Sequence, residues 1–176
     1  VDDHAINTMG LNLIAGVNFT QEDIHWRGQG QSTWPPKTII TKTFAQQLFP
    51  DDWQSAIGKT FYISQTQPMQ IIGIIEALQA PWNGWDGVER SMLVPFQMES
   101  SSSYYFIRTE AGKRDEMMPI IEKELAESNK GRIIRRVTTV EDTRKRSYRQ
   151  HNATNKILTT IVATLTLITG FGIVGL

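Results

Sequence analysis

Apolar and polar positions along the chain change their spacing several times, and each change marks an element. Residues 2–15 carry Ile6, Met9 and Leu13 at steps of three or four, one face of an amphipathic helix. Asp2 or Asp3 stands where it would cap the start, and Gly16 where it would stop the helix. Residues 20–36 have no periodicity; Gln, Gly and Ser, two prolines, Trp26 and Trp34 describe a long loop. Thr38-Ile39-Ile40-Thr41 reads as a short strand. Residues 42–49 follow as a helix with Phe44 and Leu48 on one face, ended by Pro50-Asp51-Asp52. Gly58-Lys59 is a turn. Residues 60–64 and 70–75 are β-rich runs that pair, and Ile71, Ile72, Ile74 and Ile75 predict burial on both faces. Residues 79–90 form a Trp- and Gly-rich loop holding Trp82 and Trp85, and residues 92–95 another short strand.

The last third predicts a strand at 104–109, a helix at 114–127 and a second strand at 132–140. Met117, Ile121 and Leu125 make the apolar face of that helix, and Pro119 is expected near its first turn, where a missing N–H costs little. Such a β-α-β unit has a right-handed crossover. Alone it cannot bury both faces of its sheet, so it calls for a partner unit, part of it upstream of Val1. From Val137 to Ile168 there is no Pro or Gly, which predicts one long helix. Its first part is charged, with Glu141, Asp142, Arg144, Lys145, Arg146, Arg149 and Lys156. The 20 residues from Ile157 to Leu176 carry no charge and would cover roughly 30 Å, about one hydrocarbon core. Thr166 and Gly170 give the small-xxx-small spacing that lets helices approach in a bilayer. A buried core helix is the competing account, and so long an uncharged run disfavours it. The run ends without polar flanks, so the span reads as incomplete, and the Val1 start without a signal peptide reads as a fragment or a processed chain.

Composition narrows the function. Lys+Arg is 18 and Asp+Glu is 18, a net charge of zero over 176 residues, which gives no support to nucleic-acid binding. With no cysteine there is no disulfide scaffold, thiolate zinc site or cysteine nucleophile. His4, His25 and His151 share no helix-face spacing, and Glu22, Asp23 and His25 read as a solvated turn rather than a metal site. Ser100–Ser103 lacks a Gly-x-Ser-x-Gly elbow, and Gly28 and Gly30 do not sit between a strand and a helix, so neither a nucleophile nor a phosphate loop is read here. No catalytic, cofactor-binding or metal-binding residue is assigned. Trp82, Trp85, Trp26 and Trp34 are the candidates for a partner- or substrate-binding surface, weighed against simple packing. Arg144, Arg146 and Arg149 are candidate stalk residues able to reach lipid phosphates, weighed against a solvated helix face. The excess of basic residues beside the span favours the cytoplasm, but that rule is weak for a long translocated domain, so composition leaves the side of the membrane open.

The order of phrases resembles one family. Met9-Gly10-Leu11-Asn12-Leu13-Ile14-Ala15-Gly16-Val17-Asn18-Phe19 is followed by Ile39-Ile40-Thr41-Lys42-Thr43-Phe44-Ala45-Gln46-Gln47-Leu48-Phe49-Pro50. Then come Ile57-Gly58-Lys59, Ile71-Ile72-Gly73-Ile74-Ile75, Val94-Pro95-Phe96-Gln97 and Ile107-Arg108-Thr109. Together they resemble the periplasmic core domain of MacB/FtsX-like ABC-transporter permeases. Val17 stands where Arg is usual, and Thr41-Lys42 where Asn-Glu is usual. The resemblance implies an α+β, two-lobed periplasmic domain over residues 1–140. Within it, residues 36–98 would form a strand-rich inserted lobe and 99–140 a β-α-β porter-like lobe. A stalk helix over 141–156 and a partial transmembrane helix over 157–176 would follow.

The resemblance further implies a bacterial inner-membrane protein with this domain in the periplasm, no enzyme activity of its own and no cofactor. Implied partners are a cytoplasmic ABC ATPase, a second permease copy or homologue, membrane lipid and, for export, a periplasmic adaptor or outer-membrane protein. The implied function is mechanical coupling of ATP hydrolysis to export or release of a substrate. The alternative is a regulatory module that recruits a cell-wall hydrolase or adaptor.

Overall fold

The computed structural model describes residues 1–28, 30–63, 66–78, 87–131 and 133–174 of the chain. They form two compact units, Val1–Arg114 and Asp115–Leu176, and the fold is mixed α+β.

In the first unit the run Gln67–Ile75 supplies the strand on which the sheet is built, β5, with β1 at Leu13–Gly16, β3 at Lys37–Thr41, β4 at Thr60–Ile63 and β6 at Met92–Leu93. β3 lies parallel to β5 along one edge, and β6 pairs antiparallel with β3. On the other edge β4 pairs antiparallel with Gln67–Gln70 and β1 with Gly73–Ile75, so β4 and β1 follow one another along β5. Paired β-branched residues explain the register. Ile39 and Ile75 face one side with Ile6, Phe19 and Leu93; Ile40, Ile71 and Ile74 face the other with Ala45 and Ala56. The expected burial on both faces is therefore present. A helix α1 at Ala5–Met9 covers the first side, and α2 at Lys42–Leu48 with the 3-10 turn Trp53–Ala56 covers the second.

Thr41 starts α2. Its hydroxyl accepts from Phe44 N–H at 3.4 Å and Ser91 N–H at 3.2 Å, and donates to the Glu89 carbonyl at 2.7 Å. Thr38 is also fully buried and donates to the Leu93 carbonyl at 2.9 Å.

Three sequence expectations are corrected here. The helix expected over 2–15 ends at Met9, because Gly10 adopts φ 67° and closes it, and Leu13 and Ala15 then join the sheet. The loop expected over 20–36 contains a 3-10 turn at Gln21–Asp23 and a strand β2 at His25–Arg27, parallel to β7 at Phe96–Met98. The strands expected at 104–109 and 132–140 make no ladder among the described residues, and Val140 already opens a helix. β propensity in a run such as Tyr104–Ile107 expresses itself only against an available edge. β1 also draws residues outside 36–98 into the same sheet.

The second unit contains α3 at Arg114–Ser128, which starts one residue earlier, and α4 at Val140–Val174, 35 residues in one helix. Pro119 is the sixth residue of α3, beyond the first turn, so the helix gives up the bond from this position to the Asp115 carbonyl. Met117, Ile121 and Leu125 share the expected face and are half-buried, but no described residue of this unit is fully buried.

Candidate functional site

The most developed side-chain constellation of the first unit lies on the ribbon of β2 and β7. His25 N–H donates to the Pro95 carbonyl and Glu99 N–H to the Arg27 carbonyl, both at 3.0 Å. Parallel pairing alternates inward and outward groups, so His25 and Arg27 use their backbone on β7 and Trp26 directs its own outward. The pleat puts Arg27, Phe96 and Met98 on one face and Trp26 on the other.

Arg27 is fixed on its face. Its guanidinium carbon is 6.0 Å from the Trp34 ring centre and 5.8 Å from that of Phe96, and the two rings meet edge to face at 6.0 Å. Arg27 Nε donates to the Gln31 carbonyl, and Gly28 N–H to Gln31 Oε1 at 3.1 Å. Gln67 holds the far side of the loop: its Oε1 accepts from Trp34 N–H at 3.0 Å and its Nε2 donates to the Ser32 carbonyl at 3.2 Å. The Gly- and Pro-rich run is thus ordered by two glutamine side chains. Trp26 is 67% exposed and Met98 54%.

Beside the ribbon, Asp23 is buried and accepts from Lys37 Nζ at 2.5 Å and from Thr20 N–H and Oγ1 at 2.9 Å each. The Lys37 hydrogen bond, followed by those from Thr20, holds the Asp23 carboxyl below its ordinary pKa against the cost of burial. His25 Nδ1 is engaged with the Asp23 carbonyl at 2.9 Å. These partners make the 22–25 turn a structural knot. Among the described residues no group of acidic, histidine or cysteine side chains is arranged to hold a metal ion.

Of the sequence-selected tryptophans, Trp34 belongs to the Arg27 stack, while Trp26 sits on the opposite face of the ribbon. Trp82 and Trp85 lie outside the described residues. Arg144, Arg146 and Arg149 are all exposed on α4 but form no single stripe, since helical geometry sets Arg144 about 140° around the axis from Arg149. Lys145 pairs with Glu141 at 2.9 Å. Sequence reasoning missed Arg27, Phe96 and Gln67. The available signal was the Val94-Pro95-Phe96-Gln97 phrase, whose β character gives the His25-Trp26-Arg27 triplet a partner.

The MacB-like periplasmic core domain family matches residues 1–123. The chain belongs to that family. It is therefore a MacB-like periplasmic core domain. Among solved structures it is similar to the periplasmic region of MacB from Actinobacillus actinomycetemcomitans, at 15% identity and a TM-score of 0.36. That match covers 70% of this chain and 54% of the other, so the MacB-like chain spans about half the length of the structure it matches. No curated protein matches it.

Proposed function

We propose that this MacB-like domain is the periplasmic lever of a permease whose cytoplasmic ABC ATPase moves it through α4, in a dimer of permeases. The observation that carries this reading is the continuity of α4: 35 residues pass from a charged segment into an uncharged one without a break. At 1.5 Å per residue the helix is about 52 Å long. Its segment Thr154–Gly172 is the one described helix stretch long and apolar enough to cross a membrane, and none of it is buried. Thr159, Thr160, Thr164, Thr166 and Thr169 each donate to the carbonyl four residues back, at 2.8–2.9 Å. Their hydroxyls therefore need no water, which makes the segment compatible with hydrocarbon.

Residues 99–140 are proposed to form the β-α-β lobe once strands from elsewhere in the permease pair with 104–109 and 133–139. Support comes from the exposure of Tyr104, Phe106 and Ile133, apolar side chains left without cover. Residues 36–98 would form the inserted lobe, 141–156 the stalk and 157–176 the membrane segment. Arg149 and Lys156 fall on one side of α4 and are proposed to meet lipid phosphates.

The test inserts Gly-Gly after Arg146 in the full permease with its ATPase. Spin labels at Gln54 in the two copies report domain movement. Hydrolysis should continue while the nucleotide-dependent change in label distance is lost; an unchanged response refutes the lever. A second reading, recruitment of a cell-wall hydrolase or adaptor, is favoured by the exposed Trp26 side chain. In that case an outer-membrane partner is not required.

A further inference from the structure

We propose that the outer edge of β2 is a docking strand for an extended segment of a partner polypeptide that carries an acidic side chain facing Arg27. The inference deepens the partner-binding reading of Trp26 and Trp34 and does not depend on the lever.

The β2–β7 ribbon has two strands of three residues each, too few to be stable without further support. The loop bonds from Gln31 and Gln67 order the segment that follows β2. On the edge of β2 away from β7 the N–H and C=O of Trp26 point outward, and neither makes a hydrogen bond among the described residues. A strand laid along this edge would satisfy both groups, as in strand addition to exposed sheet edges. Trp26, two-thirds exposed, would cover one face of the added strand.

The other face determines which partner fits. Arg27 is held in orientation by two aromatic rings and by its Nε bond to the Gln31 carbonyl. Its two terminal amino groups make no hydrogen bond among the described residues. A fixed guanidinium with both ends open matches a carboxylate in a two-pronged arrangement. The side chain directly across from Arg27 on an added strand would have its Cβ about 5 Å away, the separation at which opposite charges pair across strands. Asp23, buried beside the ribbon, is already committed to Lys37 and Thr20, and Glu99, whose N–H bonds the Arg27 carbonyl, makes no ion pair with the guanidinium among the described residues. The acidic group is therefore assigned to the partner. A basic residue there would face Arg27 at the same short distance, so the edge selects against it.

The test uses the whole chain in detergent micelles, labelled with nitrogen-15. Short peptides of alternating Thr and Val carry Glu, Gln or Lys at the centre. The Glu peptide should shift the Trp26 amide and bind about fivefold more tightly than the Gln peptide, and at least about tenfold more tightly than the Lys peptide. The Glu peptide methylated on alternate backbone nitrogens should not bind. In Arg27→Lys the Glu-over-Gln preference should shrink while the Ile39 and Ile74 amides stay in place. Equal affinity for the three central residues overturns the carboxylate assignment. No shift at Trp26 up to about 1 mM peptide overturns the docking edge. If the variant does not fold, the peptide series on the unaltered chain decides. Domain movement in the Gly-Gly insertion experiment is read separately, so either reading can fail alone.

Discussion

Arg108 donates through Nη1 to the backbone carbonyl of Asn7 at 3.0 Å, tying together positions 101 apart in sequence. The carbonyl belongs to the last turn of α1, where it also accepts from Gly10 N–H at 3.2 Å. The guanidinium lies against Gly10, and a Cβ on that residue would sit 2.7 Å from Arg108 Nη1. The segment leading toward α3 is thus fastened to the helix that covers one side of the sheet. Arg108→Ala should cost about 0.5–1 kcal/mol in urea unfolding and speed hydrogen exchange at Thr8 and Gly10. Gly10→Ala should cost about 1 kcal/mol or more from its left-handed backbone, with the Arg108 contact loosened as well.

Gly16 and Gly73 oppose each other across β1 and β5. A Cβ on Gly16 would lie 2.1 Å from the Ile72 carbonyl oxygen, and one on Gly73 would lie 2.7 Å from that of Val17. Both obstacles are backbone and cannot swing away. Either Ala substitution should destabilise the first unit by about 3 kcal/mol or more, read as a lower urea midpoint at unchanged slope.

Thr41→Val keeps the shape of the side chain but leaves the Ser91 N–H and Glu89 carbonyl without their partner, and removes the cap of α2. A loss of about 2–3 kcal/mol is expected in thermal or urea unfolding. Thr41→Ser should recover most of it.

Asp23 has a folded-state pKa below that of the unfolded chain. Its contribution is therefore complete above the ordinary carboxylate pKa and fades as pH falls through the lowered folded value. The unaltered chain should lose this stability only in acid, below about pH 4. Asp23→Asn should cost about 2 kcal/mol at neutral pH and flatten that acid limb of the stability curve.

Leu165 lies near the middle of the Thr154–Gly172 segment and is exposed. Leu165→Arg should disfavour membrane insertion by about 2.5–3.5 kcal/mol. Alkaline extraction of membranes would show the variant moving to the supernatant while the unaltered chain stays in the pellet.

What could be read from the sequence depended on how locally each element is specified. α2 and the β4–β5 pair were legible because cap, turn and apolar period lie within a few residues of one another. The first helix was overextended because Leu13 continues the spacing of Ile6 and Met9; only the left-handed Gly10 and the partner strand β5 distinguish the two outcomes. β2 was invisible as a lone triplet, since its partner β7 lies some 70 positions away. The Arg27 stack was hidden for the same reason, as its rings come from a loop and from β7. Residues 104–109 and 133–139 carry strand chemistry but pair with no edge among the described residues, a distinction that composition cannot make.

The back-bonded threonines of α4 have a consequence for motion. A membrane helix is usually kept from spinning by polar groups seeking a neighbour at one azimuth. Here the five hydroxyls are turned in upon the helix's own carbonyls, so methyl groups clad those positions. None of these five hydroxyls ties the helix to one azimuth, so the lever proposed for α4 would be as free to turn about its long axis as to shift along it.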